Sequence, residues 1–317
     1  MVERILADTL MTQQDTALTA KAFVPGHVTG IFRIYDEYED PLRCGSIGAG
    51  FSVAIGTETT VSVMEHSSSE ITTDYNNERI DAKVTKTVVR RLTDDYERTL
   101  KVHVKHDSSL ISGAGFGASG AGALGTAYAL GYLLDNEISP VKSASYAHFA
   151  EVVNRTGLGD VISQTVGGIE VRKTPGSPGI GETLNIAHDD SLRVVLAGAP
   201  GLETSEILSN QYCRELINTV GDDLVSRIID ELKMETFIQC SREFSEAIGL
   251  KTWRVKTALI DLESNGFSNS SMVMLGDSVF CFCDKSETSE VKDILANYWD
   301  ATEVFVTEIS DSGGRLL

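Results

Sequence analysis

The run Ser112-Gly113-Ala114-Gly115-Phe116-Gly117-Ala118-Ser119-Gly120-Ala121-Gly122 carries the strongest chemical signal in this chain. Its glycines let the backbone approach a ligand and turn N–H groups toward it. The apolar, proline-free segment that follows to Leu134 reads as a helix, whose N-terminus adds partial positive charge. Together they suit a polyphosphate without any basic side chain. A small-residue turn feeding a tightly packed helix would read the same way. No Gly-Lys-Ser/Thr ending exists, so a P-loop is excluded. Gly115 to Gly120 does fit G-x-G-x-x-G, with Asp135 and Glu137 near the ~20-residue offset of a ribose-binding acid. Those acids follow the helix directly, with no second strand to carry them, which leaves a dinucleotide-binding oxidoreductase as the weaker alternative.

Three more stretches could complete a site: Lys21 to Gly30 with Pro25-Gly26-His27, Gly157 to Val161 followed by Gly167-Gly168, and Asn265 to Ser271. Asp160 suits either an acid beside a substrate hydroxyl or a helix cap. Glu151 suits either a hard-oxygen metal ligand or a solvated helix position. His66, His103, His106, His148 and His188 share no spacing and read as structural.

In this order the stretches resemble the GHMP kinase superfamily, over nearly the whole chain after about residue 18. The wording of Pro25 to Phe32, Gly45 to Ser52, Thr156 to Val161 and Ser271 to Gly276 is most similar to its archaeal pantoate kinases. The resemblance implies an α+β fold of two domains. Residues 1–188 would form a ribosomal-S5-like α/β domain, and residues 189–317 a ferredoxin-like α+β domain. It implies ATP and Mg²⁺ as cofactors and phosphorylation of pantoate to 4-phosphopantoate for coenzyme A synthesis, with another small alcohol such as mevalonate as the alternative. The backbone of Gly113, Gly115, Gly117, Ala118, Ser119, Gly120 and Ala121 would hold the phosphates. Ser119 and Glu151 would hold the metal, and Asp160 would orient or deprotonate the attacking hydroxyl. His27, counted with Asp160 as catalytic and standing where several relatives have lysine, would hydrogen-bond the substrate instead of presenting a fixed charge. Thr29, Ser46 and Gly48 would add substrate contacts, and Arg155 or Arg43 would meet its carboxylate. Ala118 and Gly120 depart from the usual serine and alanine of the phosphate loop.

These groups need positioning. Alternation predicts a strand from Leu18 to Val24 that ends at Pro25-Gly26, then strands at Gly50 to Ile55, Thr59 to Met64 and Leu100 to Val104. The four-residue rhythm Ile80, Val84, Val88, Leu92 predicts a helix, and further helices are expected from Ser119 to Leu134 and Pro140 to Asn154. A short strand, Ile169 to Arg172, follows. In the second half the pattern predicts a strand at Arg193 to Gly198, helices at Thr204 to Thr219, Asp222 to Ala247 and Thr252 to Glu263, a strand at Ser271 to Cys283, a helix at Glu287 to Trp299 and a strand at Thr302 to Ile309.

The chain has 317 residues, 42% of them apolar, and a net charge of −19. No basic stripe suggests nucleic acid, and no run reaches the ~18 apolar residues of a membrane span. Residues 1–12 do not read as a secretory signal. Five scattered cysteines without metal-ligand spacing point to a reducing cytoplasm. A homodimer is an open expectation.

Overall fold

The computed structural model describes residues 17–201 and 204–317, so the reading of residues 1–12 lies outside the described residues. Two long strands organise the first half. β1 (Leu18–Tyr35) and β2 (Gly45–Glu65) pair antiparallel, with register shifts between Pro25 and Gly26 and between Thr29 and Ile31. The expected stop at Pro25-Gly26 is therefore wrong. Proline is tolerated inside this strand because it falls at an irregularity in the ladder. The two expected strands between Gly50 and Met64 are likewise one.

Besides β1, β2 serves two further neighbours. Thr57 to Glu65 pair with β5 (Leu100–Ser108), whereas Gly48 to Phe51 pair with β6 (Ile169–Arg172). The sheet is completed by β3 (Glu70–Tyr75), β4 (Glu78–Arg79), β7 (Thr183–Ile186) and β12 (Arg315–Leu316), four strands that the sequence pattern does not mark. α1 (Lys83–Asp95) starts after Ile80, which lies exposed. α2 (Ala118–Leu134) is buried on every face from Gly120 to Gly131, as expected for a helix apolar all round. It packs on β1 and β2, flanked by α1 and α3 (Pro140–Asn154). A short α4 (Asp160–Val166) follows.

The second half holds β8 (Leu192–Ala199), α5 (Thr204–Ser209), α6 (Gln211–Asp230), α7 (Met234–Ala247), α8 (Trp253–Ser264), β9 (Ser270–Met272), β10 (Asp277–Asp284), α9 (Thr288–Leu295) and β11 (Val304–Thr307). Its four strands form an antiparallel sheet in the order β11-β8-β10-β9. The expected helix from Asp222 to Ala247 is broken at Glu231 to Lys233. α6 instead runs on through Gly221, where a Cβ would lie 2.6 Å from the Phe32 carbonyl, so the glycine lets α6 settle against β1. The expected strand from Ser271 to Cys283 is a hairpin whose turn, Val273 to Gly276, includes Leu275 at φ 70°.

The two sheets share one core. Phe51 of β2 lies 5.2 Å from Phe280 and 4.8 Å from Phe282, both on β10, and 6.3 Å from Phe237 of α7, measured between ring centroids. The C-terminal segment leaves the second sheet and returns to the first. Ser310 N–H donates to Ser52, Gly314 N–H to the Gln164 carbonyl, and β12 pairs with β1.

Candidate active site

A cavity of about 510 Å³ opens at the N-terminus of α2, between β1, the Thr156 to Asp160 turn, Pro200-Gly201 and the Met274-Leu275 turn. The glycine run leads into it from β5. Gly117, at φ 69°, is the N-cap of α2, and such a left-handed conformation favours glycine. Gly113, Gly115, Gly117, Ala118, Ser119 and Gly120 all line this cavity. Ala121 does not. It is buried, with its N–H committed to the Gly117 carbonyl. Asn265 to Ser271 do not line it either; Met274 and Leu275 of the following hairpin take that place.

Ser119 Oγ donates to Glu151 Oε1 at 2.5 Å, joining α2 to α3. Glu151 is buried and its Oε2 has no hydrogen-bond partner among the described residues. Burial pushes its carboxyl up to about 7, against the Ser119 bond, which favours the charged form. Gly157 passes close by: a Cβ there would lie 2.6 Å from Glu151 Oε2 and 3.3 Å from Asp160 Oδ2. A buried, unpaired carboxylate oxygen beside a hydroxyl is a fitting start for a hard cation completed by phosphate oxygens and water. The described residues hold no group of three acidic, His or Cys side chains able to bind a metal alone.

Asp160 opens α4 on the cavity wall, its side chain about 27% exposed. Behind it lies a buried row of alternating charge. His27 Nδ1 is 2.7 Å from Asp160 Oδ1, and its Nε2 is 3.0 Å from Glu170 Oε1. The same Glu170 oxygen accepts from Arg172 Nη1 at 2.6 Å and from Ser163 Oγ at 2.8 Å. Two carboxylate acceptors require both ring nitrogens to be donors, so His27 is an imidazolium. Burial alone would lower its pKa, but the charges of Glu170 and Asp160 prevail and hold it up at about 9. Burial likewise works to raise the carboxyls of Asp160 and Glu170. His27 outweighs it at Asp160, as His27 and Arg172 do at Glu170, and both stay below the usual range. This corrects the expectation of an uncharged His27 touching substrate. The ring is fully buried, and both nitrogens are spent on carboxylates.

Thr29, Ser46 and Arg155 line the cavity; Gly48 does not, and a Cβ there would lie 2.7 Å from Arg172 Nη2. Arg43 is exposed and off the cavity. Beyond His27 the wall carries a cation that the motifs do not mark, Arg172. It is 1% exposed, lines the cavity, and leaves Nε without a partner among the described residues. A Cβ on Gly159 would lie 2.7 Å from that Nε and 2.5 Å from Ser46 Oγ, so the guanidinium and hydroxyl flank the Gly159 backbone. A signal was present in the short strand Ile169-Glu170-Val171-Arg172, where opposite charges two apart must share one face.

The dinucleotide reading fails on geometry. Asp135 is the C-cap of α2 and accepts from Tyr96 Oη, at the far end of a 17-residue helix, about 25 Å from the loop. His106, held between Thr59 and Thr85, and His148, against the Cys44 carbonyl, are buried; burial lowers each to about 4.

The arrangement unites a phosphate-sized backbone cradle, an ionised aspartate at its edge and a buried guanidinium beyond, which fits phosphoryl transfer to an alcohol that also carries an anion. Comparison with known proteins agrees. Residues 83–168 match the GHMP kinases N terminal domain. The chain is 33% identical to the pantoate kinase of Thermococcus kodakarensis, over 90% of this chain and 95% of that protein. It is 32% identical to the pantoate kinase of Methanocaldococcus jannaschii, over 87% and 97%. Among solved structures, a phosphotransferase related to the CoA biosynthesis pathway superposes with a TM-score of 0.84 at 31% identity, covering 95% of this chain and 99% of that one. The homoserine kinase of Cytophaga hutchinsonii shares the fold, with a TM-score of 0.69 at 15% identity over 97% and 99%. With the α+β fold and the site in place, the chain belongs to the pantoate kinase family of the GHMP kinases.

Proposed function

We propose that this protein transfers the γ-phosphoryl group of ATP to the primary hydroxyl of pantoate, giving 4-phosphopantoate and ADP for coenzyme A synthesis. The observation that carries this reading is Asp160, set on the cavity wall between the glycine cradle and the buried Arg172. Phosphoryl transfer asks the protein mainly for positioning and charge stabilisation. In this reading the backbone from Gly113 to Gly120 and the N-terminus of α2 hold the phosphates, which suits a chain of net charge −19. Asp160, kept ionised by His27, accepts the hydroxyl proton as the oxygen attacks phosphorus. Arg172 and Ser46 receive the substrate carboxylate, with Thr29 and Arg155 at the rim. Ser119 and Glu151 would hold Mg²⁺, an ion that neutralises charge on the transferring phosphates. We place the enzyme in the cytoplasm, in line with its free thiols. We also propose two domains, residues 1–188 and 189–317.

A coupled ADP-release assay with pantoate, mevalonate and homoserine tests the assignment. Turnover is expected on pantoate. Turnover of another of these alcohols with none on pantoate overturns it. Asp160→Asn should lower kcat by about 10²–10⁴-fold.

A further inference from the structure

Gln164 lies on α4 one turn beyond Asp160, fully buried and not among the residues given a chemical role above. Its Nε2 donates to two backbone carbonyls at once: Pro25 at 2.9 Å, in the bulged part of β1, and Gly117 at 2.9 Å, at the head of α2. The side-chain orientation follows from those partners. The opposite flip would aim the amide oxygen at two carbonyl oxygens. Oε1 is therefore left buried without a partner among the described residues. It lies over Gly120, where a Cβ would be 2.7 Å from this oxygen and 3.1 Å from Asp160 Cβ. Two further bonds converge on the same point. His27 N–H donates to the Phe116 carbonyl at 3.0 Å, and Gly314 N–H of the C-terminal segment donates to the Gln164 carbonyl at 2.8 Å.

A buried orphan oxygen is unfavourable and asks for a reason. The reason lies in the other half of the amide. Few side chains other than an amide present two donors from one atom to two backbone carbonyls, here that of Pro25 and that of Gly117, which also accepts from the Ala121 N–H. The three elements they join, β1, α2 and α4, bear His27, Ser119 and Asp160. We propose that Gln164 is a positioning residue: its amide sets the separation between the phosphate loop and Asp160, and its unpaired oxygen keeps position 120 free of any side chain. This rests on reading residues 112–122 as the phosphate loop.

The test is a cycle of Gly120→Ala, Gln164→Ala and the double variant. Nucleotide affinity is measured directly on each, kcat and KM for ATP and pantoate by ADP release, and folding by thermal unfolding. Gln164→Ala should raise KM for ATP and lower kcat, each by about tenfold for the two lost hydrogen bonds, with KM for pantoate within threefold. Gly120→Ala should lower kcat/KM for ATP more than tenfold. The double variant should be no worse than Gln164→Ala, because the clashing oxygen is gone. Additive losses overturn the proposal, as do unchanged ATP parameters in Gln164→Ala. If Gln164→Ala does not fold, Gln164→Asn, which keeps the amide but is one methylene short, takes its place with the same expectations. A wild-type protein that binds no ATP would refute the phosphate-loop reading itself, a result distinct from either failure of the brace.

Discussion

Replacing Glu170 by glutamine should move the charge of His27 into the working pH range. The wild-type ring donates from Nδ1 to Asp160 and from Nε2 to Glu170. Its pKa stands at about 9 against an ordinary 6.5, a preference for the folded imidazolium of about 3 kcal/mol. Because the folded value is the raised one, this stability is complete below about pH 6.5 and is lost as pH rises through about 9. Glutamine keeps the volume and the acceptor oxygen for Arg172 and Ser163 but removes the anion. An opposite charge at hydrogen-bond range shifts a pKa by about 1–3 units, so His27 in Glu170→Gln should lose its proton between roughly pH 6 and 8. Asp160 then faces a lone pair or a weaker donor and is no longer held as an ionised acceptor. The assay is kcat for ADP release from pH 6 to 10, paired with nitrogen NMR of the imidazole. Wild type should show a doubly protonated ring at pH 7.5 and no loss of kcat from His27 below about pH 8. The variant should lose activity on a basic limb displaced downward. A neutral His27 ring in wild type at pH 7.5, or a basic limb unmoved by Glu170→Gln, would refute the charged-row argument.

Arg172→Lys keeps the charge but loses the planar fork, and should raise KM for pantoate about tenfold or more with KM for ATP little changed; Arg155→Lys, at the exposed rim, should change KM for pantoate less than threefold. Truncation after Glu308 removes the backbone bonds from Gly168 to Ser310, Ser310 to Ser52, Gly314 to Gln164 and Leu317 to Lys21, and should cost roughly 3 kcal/mol at ~0.5–1.5 kcal/mol per bond, read from urea unfolding midpoints. Phe51→Ala, at the aromatic contact between the two sheets, should destabilise by about 3–5 kcal/mol while leaving KM for both substrates within a few-fold in the protein that remains folded.

Local patterns in the chain were enough for much of this molecule. The glycine run and its apolar helix are legible because backbone approach to a phosphate and close helix packing both demand small residues at fixed places. α3 begins at Pro140 and ends at Asn154 as the pattern predicts, since Pro140 and the Ser139 cap mark its start. Ser119, Glu151 and Asp160 are legible only as a set in order. What tertiary structure decided lies where one residue's role depends on a neighbour far along the chain. Pro25-Gly26 reads as a strand end, yet β2 pairs across the bulge and carries the strand through. His27 reads as a neutral hydrogen-bonding side chain because an isolated imidazole titrates near pH 6.5. Glu170 and Asp160, more than 130 residues away in sequence, make it a buried cation. Arg172 and Gln164 belong to no motif, and their parts follow from burial beside the cavity and the phosphate loop. Periodicity and turn chemistry are local and survive in the sequence; charge state and hydrogen-bond partnership are set by dielectric and distance, which exist only once the chain has folded.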